Sequence, residues 1–370
     1  MAKRAVTRSR TTLTGVAEAA GVSVATVSKV VNGRSDVSPE TRARVEQLLV
    51  EHDYVARGPG GAQSPVRTID LTFDALVNPN NLVIAQGVIQ AAGEAGVDVV
   101  LGTAPDDPLG AAWARKITNA GREGVILVTS ELSARQRAQF AQADIPVVLI
   151  DPTNVPDESV PSIGATNFTG GMTATEHLLK LGHRRIAMIE GRHDAVCNTA
   201  RLHGYQAALT GAGITPDTRL IKQGDFRFEP AHRAALELFA LDDPPTAVFA
   251  GNDQSAFGVI EAARRHGLRV PEDLSVVGFD DTGAASTSAP PLTTVRQPFV
   301  EIGRAALRTL LRLTAGEPLD SHRVELATQL VVRSSTAPPP LPPRQPPATT
   351  AHSTPRTCHD HALGRSGLPP

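Results

Sequence analysis

From Val66 to Thr336 the chain alternates short β-branched runs with alanine- and leucine-rich runs of helical period. This constrains the fold more than any other feature, because successive βαβ units must build parallel sheets covered by helices on both faces. Strands are predicted at 68–73, 97–101, 124–128, 147–150, 185–189, 247–250 and 275–279. Helices are predicted near 82–93, 168–181, 200–212, 231–239 and 253–266. So much alternation points to an α/β fold with two doubly wound subdomains side by side.

The segment before it reads differently. Residues 13–55 carry apolar positions at three- and four-residue spacing, punctuated by Gly21, Asn32-Gly33 and Ser38-Pro39, and predict three short helices. Between the two regions, the Gly- and Pro-dense run from Arg57 to Pro65 reads as a linker. After Thr336 the sequence PPPLPPRQPPATT and a polar tail cannot bury enough surface to fold. The expected division is a basic N-terminus (1–11), a helical domain (12–56), a linker (57–66), the α/β region (67–336) and a disordered tail (337–370).

Charge follows the same division. Residues 1–60 hold nine Lys/Arg against six Asp/Glu, a net of +3, so the remainder must carry −5 of the overall −2. A basic module ahead of a mildly acidic body suits a polyanion partner for the first part only. No apolar run is long enough to span a bilayer, and the start MAKRAVTRSRTT lacks the apolar stretch of an export signal. Two cysteines are too few for a disulfide framework, so a cytoplasmic protein is expected, nucleoid-associated and with no membrane partner.

In the stretch from Thr14 to Asn32, Val16, Ala17 and Ala20 share one helix face, Gly21 permits a tight turn and Ser23 is a natural N-cap. On the second helix Val27, Val30 and Val31 face inward, leaving Val24, Ala25, Ser28 and Lys29 on the face free to enter a major groove. The candidate phosphate contacts are the hydroxyls of Ser23, Thr26 and Ser28, the Asn32 amide and the helix N-terminus. Periodicity alone fits an unrelated valine-cored three-helix bundle equally well.

The runs TLTGVAEAAGVSVATVSKVVNG and VSPETRARV resemble the helix-turn-helix of the lactose-repressor (LacI/GalR) family of bacterial regulators. The resemblance continues through ATEHLLKLGHRRIAMI, ARLHGYQAAL, PTAVFAGNDQSAFGVI, VPEDLSVVGFDD and PPLTTVRQP, covering roughly residues 12–335. It implies a three-helix DNA-binding domain joined to a periplasmic-binding-protein-like domain of two α/β subdomains. It further implies a homodimer on double-stranded operator DNA, and a small carbohydrate or sugar-derivative effector held between the subdomains. By position, Val24, Ala25 and Lys29 would read bases. One departure stands out: where relatives carry a leucine-bearing hinge helix, this chain has Asp53-Tyr-Val-Ala-Arg-Gly-Pro-Gly-Gly61, and no hinge helix of the usual kind is expected.

Gripping a sugar takes groups that pair with hydroxyls from both sides and an aromatic face for its C–H surface. Asp280, Asn252, Arg201 and Phe226 match the family's cleft positions, with Asp151 a fifth candidate. Each has a plainer alternative: Asp280 or Asn252 as a cap, Arg201 as a solvated residue or partner of Asp194, Phe226 as core. Asp281 is expected to be the capping member of its doublet. Cys197 reads as a pocket-wall thiol or an inert buried cysteine, and His177 and His183 as solvated or satisfied. Trp113 reads as helix packing.

No G-x-S-x-G, P-loop or H-E-x-x-H run occurs, and Cys358, His359 and His361 lack metal-site spacing. No catalytic residue, metal or cofactor is therefore expected. The expected function is repression of carbohydrate-utilisation genes, relieved by the effector through a shift between two subdomain arrangements. An activator, a corepressor-dependent repressor and a sugar-binding protein without DNA affinity are the alternatives. Aromatic residues at 4% favour a small sugar over a long oligosaccharide.

Overall fold

The structure is a computed structural model that describes residues 13–31, 34, 36–51, 67–74, 78–103 and 111–340. Helices α1 (Leu13–Ala20), α2 (Val24–Val31) and α3 (Pro39–Glu51) close on a small core of Val16, Ala17, Ala20, Val27, Val30 and Val45. Gly21 makes the turn between α1 and α2 in the left-handed region, at φ 63°, where other residues are strained. Ser23 Oγ then accepts from the Thr26 N–H at 3.1 Å, which caps α2 as its residue type suggested.

The chain continues through β1 (Arg67–Phe73), α4 (Asn80–Ala95), β2 (Val97–Thr103), α5 (Ala111–Asn119), β3 (Val125–Val128), α6 (Ala134–Gln142), β4 (Val147–Ile150) and β5 (Ser162–Ala165). A second series follows: α7 (Asn167–Lys180), β6 (Ile186–Glu190), α8 (Val196–Gly211), β7 (Ile221–Gln223), α9 (Phe228–Phe239), β8 (Ala247–Ala250), α10 (Asp253–His266), β9 (Ser275–Asp280), α11 (Gly283–Thr287) and β10 (Thr293–Arg296). The chain then returns through α12 (Phe299–Thr314) and β11 (Arg323–Leu326) and ends its regular structure with β12 (Gln329–Val331).

Two six-stranded sheets result, ordered β2-β1-β3-β4-β5-β11 and β7-β6-β8-β9-β10-β12. All neighbours run parallel except β12, which lies antiparallel to β10. The shared order 2-1-3-4-5 makes each sheet a doubly wound lobe whose strand ends on the carboxyl side form a crevice. The chain crosses between lobes three times, after β5, β10 and β11. Two crossings are laced together, with Thr166 N–H donating to Leu326 O at 3.0 Å and Thr328 N–H to Thr166 Oγ1 at 3.0 Å.

Glycines let the covering helices touch backbone to backbone. A Cβ on Gly87 of α4 would stand 2.1 Å from Val300 O of α12, and one on Gly303 would stand 2.4 Å from Ile84 O. In the second lobe, Gly204 of α8 meets Phe168 O of α7 in the same way, at 2.1 Å. The sequence reading found seven strands near their observed positions but missed β5, β7 and β10 to β12, as well as α5, α6, α11 and α12. Strands of four residues were found where the run is continuously apolar, as in β3, β4 and β8, whereas the missed strands mix in polar residues or glycine over three or four positions, which leaves no pattern to register. Helix α12 does carry an apolar stripe at Phe299, Ile302, Ala306, Leu307 and Leu310, all buried.

Packing also passes the expected start of the tail. The Ala337 carbonyl accepts from Ser275 Oγ at 2.9 Å, and its N–H donates back to that oxygen at 3.0 Å. The N-terminal segment 1–11, the linker 57–66, the stretch 53–61 where a hinge helix is not expected, and residues 341–370 lie outside the described residues.

Candidate functional site

A cleft of about 280 Å³ lies between the lobes at the carboxyl ends of the strands. All five residues picked out for ligand binding line it: Asp151 after β4, Arg201 on α8, Phe226 after β7, Asn252 after β8 and Asp280 ending β9. Backbone strain gathers here. Of seven non-glycine residues at positive φ among those described, Thr129, Asp151, Asp225, Phe226 and Asp280 are in the lining. Such conformations persist only where the surroundings over-determine them.

Arg201 is buried at the floor, its guanidinium centre 3.8 Å from the Phe279 ring centroid and 5.4 Å from that of Phe226. Its Nε donates to Asn167 Oδ1 at 2.8 Å and its Nη1 to Gly251 O at 2.6 Å. Nη2 stands 4.0 Å from Asp280 Oδ1. It is neither solvated nor paired with Asp194, which Arg192 takes at 2.6 Å.

Asp280 is also buried. Gln297 Nε2 donates to its Oδ1 at 2.7 Å and Asn80 Nδ2 to its Oδ2 at 2.8 Å. Burial raises its pKa, and Arg201, Asn80 and Gln297 oppose that rise. Asp151 is pushed up to about 6, chiefly by burial, with Arg201 pulling it down and the Asp280 charge adding to the rise.

Asn252 takes the plainer role weighed for it. Its Oδ1 accepts from the Ser255 N–H at 2.9 Å, capping α10, while its Nδ2 donates to Phe226 O at 3.1 Å. Both polar atoms thus hold the wall of the cleft. Phe226 is not core: its half-buried ring lies flat on Gly191, where a Cβ would come within 1.9 Å of it. Asp281 departs from expectation. It caps no helix, Thr282 standing at the N-cap of α11, and instead accepts from Arg296 Nε at 2.7 Å and Arg333 Nη2 at 2.6 Å, two cations whose charge-assisted bonds outcompete a cap. Cys197 is half-buried in the cleft wall, and burial pushes its thiol up. His183 is buried and satisfied by Thr246 Oγ1 at 2.9 Å, Ser275 Oγ at 3.0 Å and Ala337 O at 2.8 Å. His177 Nε2 meets Thr336 Oγ1 at 3.0 Å.

Sequence reasoning missed Asn80, Asn167, Gln297 and Asp253. Asp253 is fully buried behind the cleft, accepting from Thr282 N at 2.7 Å, Thr282 Oγ1 at 2.9 Å and Thr294 Oγ1 at 2.5 Å. Burial, and then the Asp280 charge, push it up to about 7. It pins the strained turn that follows Asp280. The run Asn78-Pro79-Asn80-Asn81 was the one available signal, as a polar cluster opening an otherwise apolar helix.

In the helical domain, Ser23, Val24, Ala25 and Lys29 are exposed and Thr26 and Ser28 half-exposed, on the side of α2 away from its valine core. Lys29 Nζ donates to Asp36 Oδ2 at 2.7 Å. Asn32 lies outside the described residues. Among the described residues no group of His, Cys, Asp and Glu is arranged to hold a metal, and no helix is long and apolar enough to cross a membrane.

Comparison with known proteins gives consistent matches. Residues 12–56 match the bacterial regulatory proteins of the lacI family, and residues 175–336 match a periplasmic binding protein-like domain. The HTH-type transcriptional regulator CelR of Thermobifida fusca is 35% identical over 336 residues, 89% of this chain and 99% of that protein. Among solved structures, a CelR–cellobiose complex aligns with TM-score 0.66 at 35% identity over 88% of this chain and 100% of that one. A Lac repressor dimer bound to operator and the anti-inducer ONPF aligns with TM-score 0.72 at 30% identity, covering 89% and 100%.

Proposed function

Since the chain belongs to the LacI family of bacterial regulatory proteins and is a DNA-binding transcriptional regulator, we propose that it is a homodimeric, cytoplasmic repressor of carbohydrate-utilisation genes, released from its operator by a small sugar. One observation carries the effector reading: Arg201 and Asp280 are buried together at the floor of a cleft of about 280 Å³, beside the Phe226 ring. A carboxylate and a guanidinium in a low-dielectric floor offer strong, directional bonds to vicinal hydroxyls, and the ring covers an apolar sugar face. The CelR structure with cellobiose supports carbohydrate as the ligand class. Asp151 and Asn252 complete the site, the first as a further acceptor and the second by holding Phe226.

On the DNA side, Val24, Ala25 and Lys29 read base edges, while Ser23, Thr26, Ser28 and Asn32 contact phosphates. Ligand closure of the lobes changes the spacing of the two helical heads, and regulation requires the sugar to favour one arrangement by about 1–3 kcal/mol. The test is fluorescence anisotropy of the full chain on its own promoter region, with a panel of mono- and disaccharides. A salt-sensitive complex that one sugar dissociates, and that Asp280→Ala renders indifferent to that sugar, is the expected result. A complex unmoved by every sugar would remove the effector reading.

A further inference from the structure

The cleft has a neighbour. A second cavity of about 180 Å³ shares Asp151 and Cys197 with the cleft and extends from them between the loop after β4 and the start of α8. The two spaces are therefore consecutive, with the Cys197 side chain at the junction.

The walls differ in character from the cleft. Pro152, Val155 and Pro156 on one side face Val196 and Val324 on the others. Val155 and Val196 are 76% and 38% exposed, so large apolar side chains at this cavity remain in contact with water. The polar groups around it are mostly engaged elsewhere. The Arg323 guanidinium donates to the carbonyls of Val160 and Asp157, at 3.1 and 3.0 Å, and also to Pro156 O. Asn167 is held by Ala165 O and Arg201. Asp151 and Glu325 add carboxylates to the lining, and the Asn154 Oδ1 is sealed away from the open space.

We propose that this cavity is a second ligand compartment, built for an aromatic-ring-sized apolar group carried as the aglycone of a glycoside effector. An apolar cavity of roughly 150 Å³ is enough to hold a benzene ring. The glycoside assignment rests on the effector reading above, while the compartment itself does not. Its position also gives it a regulatory consequence. The Val196 N–H of the second lobe already donates to Thr153 O of the first at 3.0 Å, so a ring seated here packs against both lobes and favours their closed arrangement.

The test uses the full chain and two kinds of probe. Phenol, followed by saturation-transfer NMR, reports on the compartment alone: it binds the wild type, binds Asp280→Ala equally, and is lost in Ala200→Phe, which fills the cavity from α8. Retained binding of the promoter fragment shows that the Phe variant is folded, and Val324→Phe fills the same space from the opposite wall. The 4-hydroxyphenyl and methyl β-D-glucopyranosides and galactopyranosides, titrated calorimetrically, report on the ligand class. The aryl member of a binding pair is expected to be tighter by roughly tenfold from the apolar area it buries, and Ala200→Phe to abolish that preference while leaving the methyl glycoside unchanged. Phenol that fails to bind the wild type, or binds Ala200→Phe as well, overturns the compartment. Aryl and methyl glycosides of equal affinity overturn the ligand class. Phenol bound with no glycoside bound would uphold the compartment and strike the effector reading instead.

Discussion

Asn80 and Asp280 belong to different lobes, and the Asn80 side-chain amide donates to the Asp280 carboxylate across the crevice at 2.8 Å, with both residues buried. The bond is charge-assisted and closes the cleft over the same carboxylate that the effector reading assigns to the sugar, so ligand and Asn80 compete for one oxygen. Asn80→Ala should lower stability by about 1–3 kcal/mol, because a buried carboxylate oxygen loses its donor. Urea unfolding measures this, and small-angle scattering should show a wider molecule. An unchanged midpoint would mean that water replaces the amide without loss.

Two raised carboxylates, Asp151 in the cleft wall and Asp253 behind it, give stability an unusual pH dependence. With folded-state values near 6 for Asp151 and 7 for Asp253, both above the ordinary 3.8, the folded protein binds protons more tightly than the unfolded chain between about pH 4 and 7. These groups therefore oppose folding above pH 7, and that penalty is relieved as pH falls. Asp151→Asn should be more stable than wild type at pH 7.5 by about 1–3 kcal/mol, with the difference shrinking below pH 6 and gone near pH 4. Thermal melts across this range decide it; a constant gap would place the origin elsewhere.

Lys29 is held by Asp36 in the DNA-free protein, at 2.7 Å and in an exposed setting. Operator binding must share or break that pair. Lys29→Ala should weaken operator binding by about 1–3 kcal/mol. Asp36→Ala should do the opposite, tightening binding and steepening its salt dependence by freeing a cation for the duplex. Anisotropy titrations at several salt concentrations separate the two; equal affinities for wild type and Asp36→Ala would show that the pair does not compete with DNA.

Two glycines on α8 should respond oppositely to alanine. At Gly204 a Cβ would lie 2.1 Å from Phe168 O and 2.7 Å from Met172 N, both backbone atoms of α7, whereas at Gly211 nothing lies within 4 Å. Gly204→Ala is expected to cost about 1–3 kcal/mol by forcing the helices apart. Gly211→Ala should gain about 0.5 kcal/mol from reduced backbone entropy in the unfolded chain. Denaturation of the two variants side by side checks both signs.

Sequence alone determined whatever depends on local period and on residue type at a fixed place. The valine stripe of α2, the Ser23 cap and the βαβ alternation all follow from spacing, whereas Asp151, Arg201, Phe226, Asn252 and Asp280 were picked by their resemblance to the family's cleft positions, since position in the pattern alone left each a plainer role. Tertiary structure decided the rest, because partners distant in the chain are invisible to period. Asp280 meets Asn80 across two hundred residues and Gln297 across seventeen, and Arg201 meets Asn167 across thirty-four. The same holds for Asn252, whose spacing allowed either a ligand grip or a cap; the positions of the Ser255 N–H and Phe226 O chose the second. A short edge strand such as β11 exists only because β5 is there to pair with it, since three or four residues carry too little intrinsic preference to form a strand unaided.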